Sequence, residues 1–262
     1  MSEAAGGRVR LRASLDGPEG APVLVLGSSL GTTSELWRPQ VGALRRHFRV
    51  LHYEHRGHGG SPAPPGPYTI GELGGDVLGL LGEFGVQRAS YAGVSLGGMI
   101  GMWLAACAGD RIDALVLCCT SARLQPATLW TERAARVRAD GMAAISGQVV
   151  DRWFTPAFRG RDPATVARFV TSIEEVEPEG YAGCCEAIAA MDLRPMLASV
   201  RAPTLVIAGA EDPATPPWHA AVIASRIRGS RVQVIRGAAH LANVSNPGEI
   251  TAGLLAHLAA PG

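Results

Sequence analysis

Residues 89–101, "ASYAGVSLGGMIG", set a single hydroxyl, Ser95, among glycines where a β-rich run gives way to an apolar, helix-forming one. Gly93-Val94-Ser95-Leu96-Gly97 matches G-x-S-x-G in the strand-to-helix setting where that pattern has a mechanical meaning. Glycines two positions either side of the serine remove the Cβ atoms that would crowd a sharp turn. Ser95 is therefore expected in a strained conformation, its hydroxyl projecting from the carboxyl end of a sheet. The amide of Leu96, opening the next helix, then points at any negative charge developing beside that hydroxyl. A close-packed glycine turn with Ser95 as an incidental cap gives the same pattern. An acid and a base following in the right order would separate the two.

Working outward, "APVLVLG" (21–27), "FRVLHYEHRG" (48–57), "IDALVLCCT" (112–120), "APTLVIAGAED" (202–212) and "RVQVIRGAAH" (231–240) are further β-rich runs, mostly apolar on both faces. Between them, "IGELGGDVLGLLGEFG" sets Ile70, Leu73, Val77, Leu80 and Leu81 at helical spacing. Alternation of this kind predicts an α/β protein with a mainly parallel sheet flanked by helices. Residues 122–191 break the rhythm with consecutive helix-like segments and no strand. The expectation is a core domain of residues 1–121 and 192–262, with a helical cap of 122–191 inserted between two strands.

The 262 residues suffice for one large core. Lys and Arg total 24 against 23 Asp and Glu, so the formal charge of +1 leaves no basic footprint for nucleic acid or an anionic membrane. No apolar run approaches the ~20 residues of a membrane span, and "MSEAAGGRVR" lacks a signal-peptide pattern, so a cytoplasmic protein is expected. Cys107, Cys118, Cys119, Cys184 and Cys185 have neither C-x-x-C spacing nor neighbouring histidines. A zinc site or disulfide framework is not expected, and Cys118-Cys119, which follow "ALVL", read as small buried hydrophobes.

Asp212 comes at the end of the run "TLVIAGAED" and His240 at the end of "VQVIRGAAH", which gives the chain order Ser, Asp, His. His240 would accept the Ser95 proton on one ring nitrogen while the other donates to Asp212. Glu211 is a rival acid, with Asp212 favoured because it directly precedes the proline turn. The remaining histidines lie away from any second nucleophile pattern, and His58 in "RGHGGS" reads as a loop-ordering residue. A second oxyanion donor is expected from "LGSSLGTTSELW", where Gly31 permits close backbone approach. Leu30 would offer its amide and Ser29 a hydroxyl contact.

Taken together, "LGSSLGTTSELWRPQ", "GPYTI", "AGVSLGGMIGMWLA", "RWFTPAF", "PEGYAGCCEAIAAMDLR", "PTLVIAGAEDPATPP" and "AAHLANV" resemble the blocks of the 3-oxoadipate enol-lactonase family of α/β-hydrolases, over nearly the whole length. The resemblance implies opening of an unsaturated lactone bearing a carboxymethyl group, through an acyl-enzyme on Ser95, within the β-ketoadipate route of aromatic breakdown. It implies neither metal nor organic cofactor. Glu54 and His55 depart from the Asp and small polar residue typical of the family, which leaves the hydrogen bonding of that loop open. The start of the cap keeps the family's Trp and Arg spacing only loosely. A substrate carboxylate needs a cation or several donors; Arg133 and Arg123 are candidates, with Trp130 and Trp153 as apolar walls. The expected partner is a small-molecule lactone or ester. The rivals are a general carboxylesterase or perhydrolase-type enzyme with the same three residues, and a non-catalytic receptor on a hydrolase scaffold.

Overall fold

The computed structural model describes residues 8–259, so the Met1–Gly7 part of the signal-peptide reading lies outside the described residues. Seven strands form one sheet: β1 (Ala13–Asp16), β2 (Val23–Gly27), β3 (Arg49–Tyr53), β4 (Ala89–Val94), β5 (Ile112–Cys118), β6 (Thr204–Gly209) and β7 (Arg231–Ile235), in the order β1-β3-β2-β4-β5-β6-β7. All neighbours pair in parallel except β1, which runs antiparallel to β3. Sequence reading missed β1. It is a four-residue edge strand with alternating half-exposed positions, too short and polar to carry a pattern. Strands β3, β5, β6 and β7 are shorter than their apolar runs suggested, because the residues beyond each carboxyl end belong to loops.

Helices α1 (Arg38–Leu44), α2 (Ile70–Glu83) and α3 (Leu96–Cys107) connect the first strands. The helix expected from residue 70 is capped by a reciprocal pair: Thr69 Oγ1 accepts from the Glu72 amide at 3.1 Å, and Glu72 accepts from the Thr69 amide at 2.7 Å. Five helices lie between β5 and β6: α4 (Thr128–Asp140), α5 (Ser146–Trp153), α6 (Pro156–Arg161), α7 (Pro163–Glu174) and α8 (Pro178–Ala190). Gly141 at φ +76° ends α4. The Leu193 amide donates to Ala122 O at 2.8 Å, tying together the two ends of this insertion. Helices α9 (Pro217–Ala224), α10 (Ala242–Ser245) and α11 (Pro247–Leu258) complete the chain.

β4 and β6 are buried at every residue, as expected of parallel strands covered on both faces. β7 departs from that pattern: Val232 and Val234 are exposed, because it closes the sheet with one face open. No helix among the described residues is long and apolar enough to cross a membrane.

α8 meets the core through glycine. A Cβ on Gly180 would stand 2.5 Å from the Gly57 Cα, and one on Gly183 would stand 2.5 Å from the Tyr68 ring. The Glu177 amide donates to Gly57 O at 2.9 Å. The "PEGYAGCC" block is thus a seam between helix and loop. Cys184 and Cys185 are fully buried in it, with burial pushing the Cys185 thiol up to about 12.

Candidate active site

Parallel pairing brings the carboxyl ends of β4, β6 and β7 to one edge of the sheet, and the three residues singled out by the sequence follow those ends. Ser95 sits between β4 and α3 at φ 54°, ψ −112°, a region L-residues rarely occupy. The turn closes because its flanking glycines touch backbone. A Cβ on Gly93 would lie 2.3 Å from the Gly97 carbonyl carbon, and one on Gly97 would lie 2.4 Å from that of Gly27. Tyr91, fully buried, donates to Gly97 O at 3.0 Å and shares a 2.8 Å hydrogen bond with Tyr53. Thr120 Oγ1 donates to Ser95 O at 2.7 Å, so the strained residue is held from both sides.

The acid and the histidine are aligned by main-chain bonds between their loops. The Ala210 amide donates to Ile235 O and the Glu211 amide to Ala238 O, each at 2.9 Å, and glycine at 209 lets the segments touch. His240 Nδ1 then lies 2.8 Å from Asp212 Oδ2. Asp212 Oδ1 accepts from the amides of Ala214 and Thr215 at 2.8 and 3.0 Å, and Oδ2 accepts from Thr215 Oγ1 at 2.7 Å. Burial pushes the Asp212 carboxyl up, but the His240 charge and these hydrogen bonds outweigh it and hold the group at about 2. For His240 burial favours the neutral ring, Asp212 favours the charged one more strongly, and the result lies above the usual histidine value. Glu211 is exposed and Asp212 buried, which makes Asp212 the carboxylate beside the histidine. With Nδ1–H donated to Asp212, the Nε2 lone pair is free to accept a proton.

Ser95 and His240 line one cavity of about 210 Å³, together with Ser29 and Leu30 from the loop after β2. The amides next to the expected oxyanion donors are already engaged: Gly31 N–H donates to His58 Nε2 at 2.9 Å and Gly97 N–H to Ser28 O at 3.0 Å. Among the described residues the amides of Leu30 and Leu96 have no protein acceptor. Leu30 borders the cavity, whereas Leu96 is buried just behind Ser95.

The loop that departs from the family pattern makes its own bonds. Glu54 accepts from the Ser34 amide at 3.1 Å, and His55 Nε2 donates to Ser28 O at 2.8 Å. His55 and His58 are fully buried and neutral, with desolvation lowering them to about 4 and about 3. His58 thus orders the loop through Gly31.

Trp130, Arg133 and Trp153 all border the cavity, from α4 and α5. The Arg133 guanidinium lies 4.7 Å from the centre of the Trp130 ring. Arg123 does not border this cavity: it lines a neighbouring one, where its guanidinium lies 3.8 Å from Asp192. Sequence reading overlooked Arg152 and Gln125, which also border the cavity. Arg152 is one residue before Trp153 in "DRWF" and carries no signal of its own. One Ser–His contact was not foreseen: His219 Nδ1 lies 2.7 Å from Ser121 Oγ. Ser121 Oγ also bonds the Arg123 carbonyl at 2.6 Å and accepts from its amide at 3.1 Å, so it closes a turn.

A family model for the α/β hydrolase fold matches residues 22–247. The chain is 37% identical to 3-oxoadipate enol-lactonase 2 of Acinetobacter baylyi, over 91% of this chain and 89% of that protein. It superposes on the crystal structure of the enol-lactonase from Burkholderia xenovorans LB400 with a TM-score of 0.94 and 41% identity, covering 97% and 99% of the two chains. A putative carbamate hydrolase, RutD, of Azorhizobium caulinodans is 31% identical over 94% of each protein.

Proposed function

The chain belongs to the α/β-hydrolase fold family, among its enol-lactonases, and on that premise we propose that it opens 3-oxoadipate enol-lactone to 3-oxoadipate through an acyl-enzyme on Ser95. The observation that carries the reading is the 2.8 Å His240–Asp212 pair bordering the same cavity as the strained Ser95. Ser95 Oγ attacks the lactone carbonyl as its proton passes to His240 Nε2, and Asp212 stabilises the imidazolium. The carbonyl oxygen, now negative, is received by the amides of Leu30 and Leu96. Collapse breaks the ring C–O bond. The departing enolate takes the proton from His240 and tautomerises to a ketone, which withdraws the leaving group from the reverse reaction. His240 then deprotonates a water that attacks the acyl carbon, releasing the second carboxylate and regenerating Ser95.

Arg133, steadied on Trp130, and Arg152 face the substrate's existing carboxylate, with Ser29 and Trp153 completing the wall. Residues 122–191 act as the cap that sets substrate choice over a core of 1–121 and 192–262. The reaction takes place in the cytoplasm, with a small-molecule substrate and no nucleic-acid or membrane partner. A general carboxylesterase is the rival reading, supported by the apolar stretch Leu124, Leu129 and Val149 in the same cavity. Hydrolysis of the enol-lactone beside a short neutral acyl ester tests it: a higher kcat/KM on the lactone is expected, and a higher value on the ester would sink the lactonase reading.

A further inference from the structure

The cavity does not end at the groups that face Ser95. Leu129, Arg133, Val149 and Arg152 border it and also border a second, outer cavity of about 280 Å³ between α4 and α5, where Arg136 and Glu132 join them. Helical spacing explains the arrangement. Leu129, Arg133 and Arg136 follow one another at intervals of four and three along α4, and Val149 and Arg152 at an interval of three along α5, so the two stripes face each other across the gap. The four shared side chains form the partition between inside and outside.

The gap is lined by charge that is mainly positive. It gathers three guanidiniums against one carboxylate, and among the described residues none of the three makes an ion pair. Arg138, on the same helix, is locked to Glu179 at 2.7 Å and to Glu186 at 2.5 Å. A third cavity, of about 390 Å³, also adjoins the active site, sharing Leu124, Gln125, Pro213 and Ala214 with it. Its arginines are already partnered: Arg194 bonds Asp192 at 2.6 Å, and Arg123 lies 3.8 Å from the same carboxylate. Of these two adjoining cavities, the α4–α5 one is therefore the one that, among the described residues, presents guanidiniums without a carboxylate partner beside the reaction chamber.

We infer that the gap between α4 and α5 is the access route for carboxylate-bearing substrates, with exposed Arg136 as the outer steering cation that delivers the anion to Arg133 and Arg152. The inference rests on the reading of Ser95 as the reacting group. Positive charge at the mouth of a low-dielectric cleft raises the local concentration of anions and their productive encounter rate, and salt screens the effect. Loss of one unit charge acting through water at about 7 Å is worth roughly threefold, so charge reversal is worth roughly sevenfold.

The test compares Arg136→Glu with Arg46→Glu, which changes net charge equally from an exposed site before β3, at the opposite edge of the sheet. Three substrates are used: the enol-lactone, a 4-nitrophenyl ester of glutarate with its free carboxylate, and the neutral 4-nitrophenyl butyrate. At low salt Arg136→Glu is expected to lower kcat/KM about sevenfold on both anionic substrates, with kcat retained, while butyrate changes less than about twofold. In about 0.5 M salt the loss should largely vanish. Arg46→Glu should leave all three substrates unchanged. An equal loss on charged and neutral substrates, no loss on the anionic ones, or the same loss from Arg46→Glu would overturn the access route. Failure of the lactonase reading shows separately, as turnover of both nitrophenyl esters without turnover of the lactone. The ester pair then still decides the route.

Discussion

All six residues of β4 are buried, and all six of β6, whereas along the thirteen residues of α4 only Ala134 and Val137 are. The sheet carries Ser95, Asp212 and His240 on closely held backbone, because glycines at 93, 97 and 209 bring chain against chain at distances no side chain tolerates. The helices over the carboxyl edge carry their cavity-facing groups on long side chains, Arg133 and Arg152, with exposed Gln125 and Leu129 beside them. Chemistry that needs sub-ångström placement sits on the first kind of support. On the proposed function, selection among substrates is assigned to the second, where changing one side chain does not disturb the core.

That division can be broken most directly at Ser95. Ser95→Ala should lower kcat by at least about three decades while the far-UV circular dichroism and Tm stay near wild type, since only binding and oxyanion contributions remain. Turnover close to wild type would show that the strained elbow is not the reacting centre.

On the cap side, Arg133→Gln should raise KM for the enol-lactone about 10- to 100-fold with kcat nearly unchanged, the effect of losing one charge-assisted hydrogen bond. A neutral ester should scarcely notice. If kcat fell as far as KM rose, the cap would be taking part in the chemistry and the division would fail.

The seam between the two regions gives a smaller effect. Gly180→Ala sets a Cβ 2.5 Å from the Gly57 Cα, which must push α8 off the loop. A loss of about 1–3 kcal/mol in denaturant unfolding is expected, as for other overpacked contacts. KM should rise before Ser95 loses its reactivity toward a serine-directed phosphonate.

The remaining effects are read against pH. The base must be neutral, and Asp212 raises His240 above its usual value, so the acid limb of kcat/KM should lie above about 6.5. Asp212→Asn should remove that displacement along with most of the activity. Stability should follow the core's other histidines. His55 and His58 are lowered to about 4 and about 3. Their contribution is complete above the unfolded value near 6.5 and is lost as pH falls toward those folded values, at about 1.4 kcal/mol per pH unit for each. Asp212, held at about 2, contributes stability above its unfolded value near 3.9 that is lost as pH falls through about 2. His240 has the opposite sign: its raised value adds stability below about 6.5 that fades as pH rises through the folded value. Urea unfolding between pH 4 and 8 reads the sum, and a flat profile below pH 6 would contradict neutral burial of His55 and His58.

The sheet and its elbow were legible because their signals are local. An apolar run makes a buried strand, and a glycine two residues from a serine makes a turn, whatever lies elsewhere in the chain. Strand β1 left no such trace, since an edge strand buries too little to need a pattern. Arg123, in the loop before α4, and Arg152, on α5, could not be told apart by sequence for a related reason: an exposed arginine carries no local sign of the direction it faces. Asp192, 69 residues further along the chain, decides where Arg123 points.

By itself, then, the sequence determined the alternation of strands and helices, the strained turn at Ser95 and the order of serine, acid and histidine, because each follows from neighbours in the chain. Only the tertiary structure decided that Asp212 meets His240 at 2.8 Å, that Gly180 is a seam and that Arg133, Arg136 and Arg152 share one gap. Those facts depend on how strands register and helices rotate against partners far away in sequence. Parallel pairing converts three distant strand ends into one edge, and no local pattern encodes what then faces what.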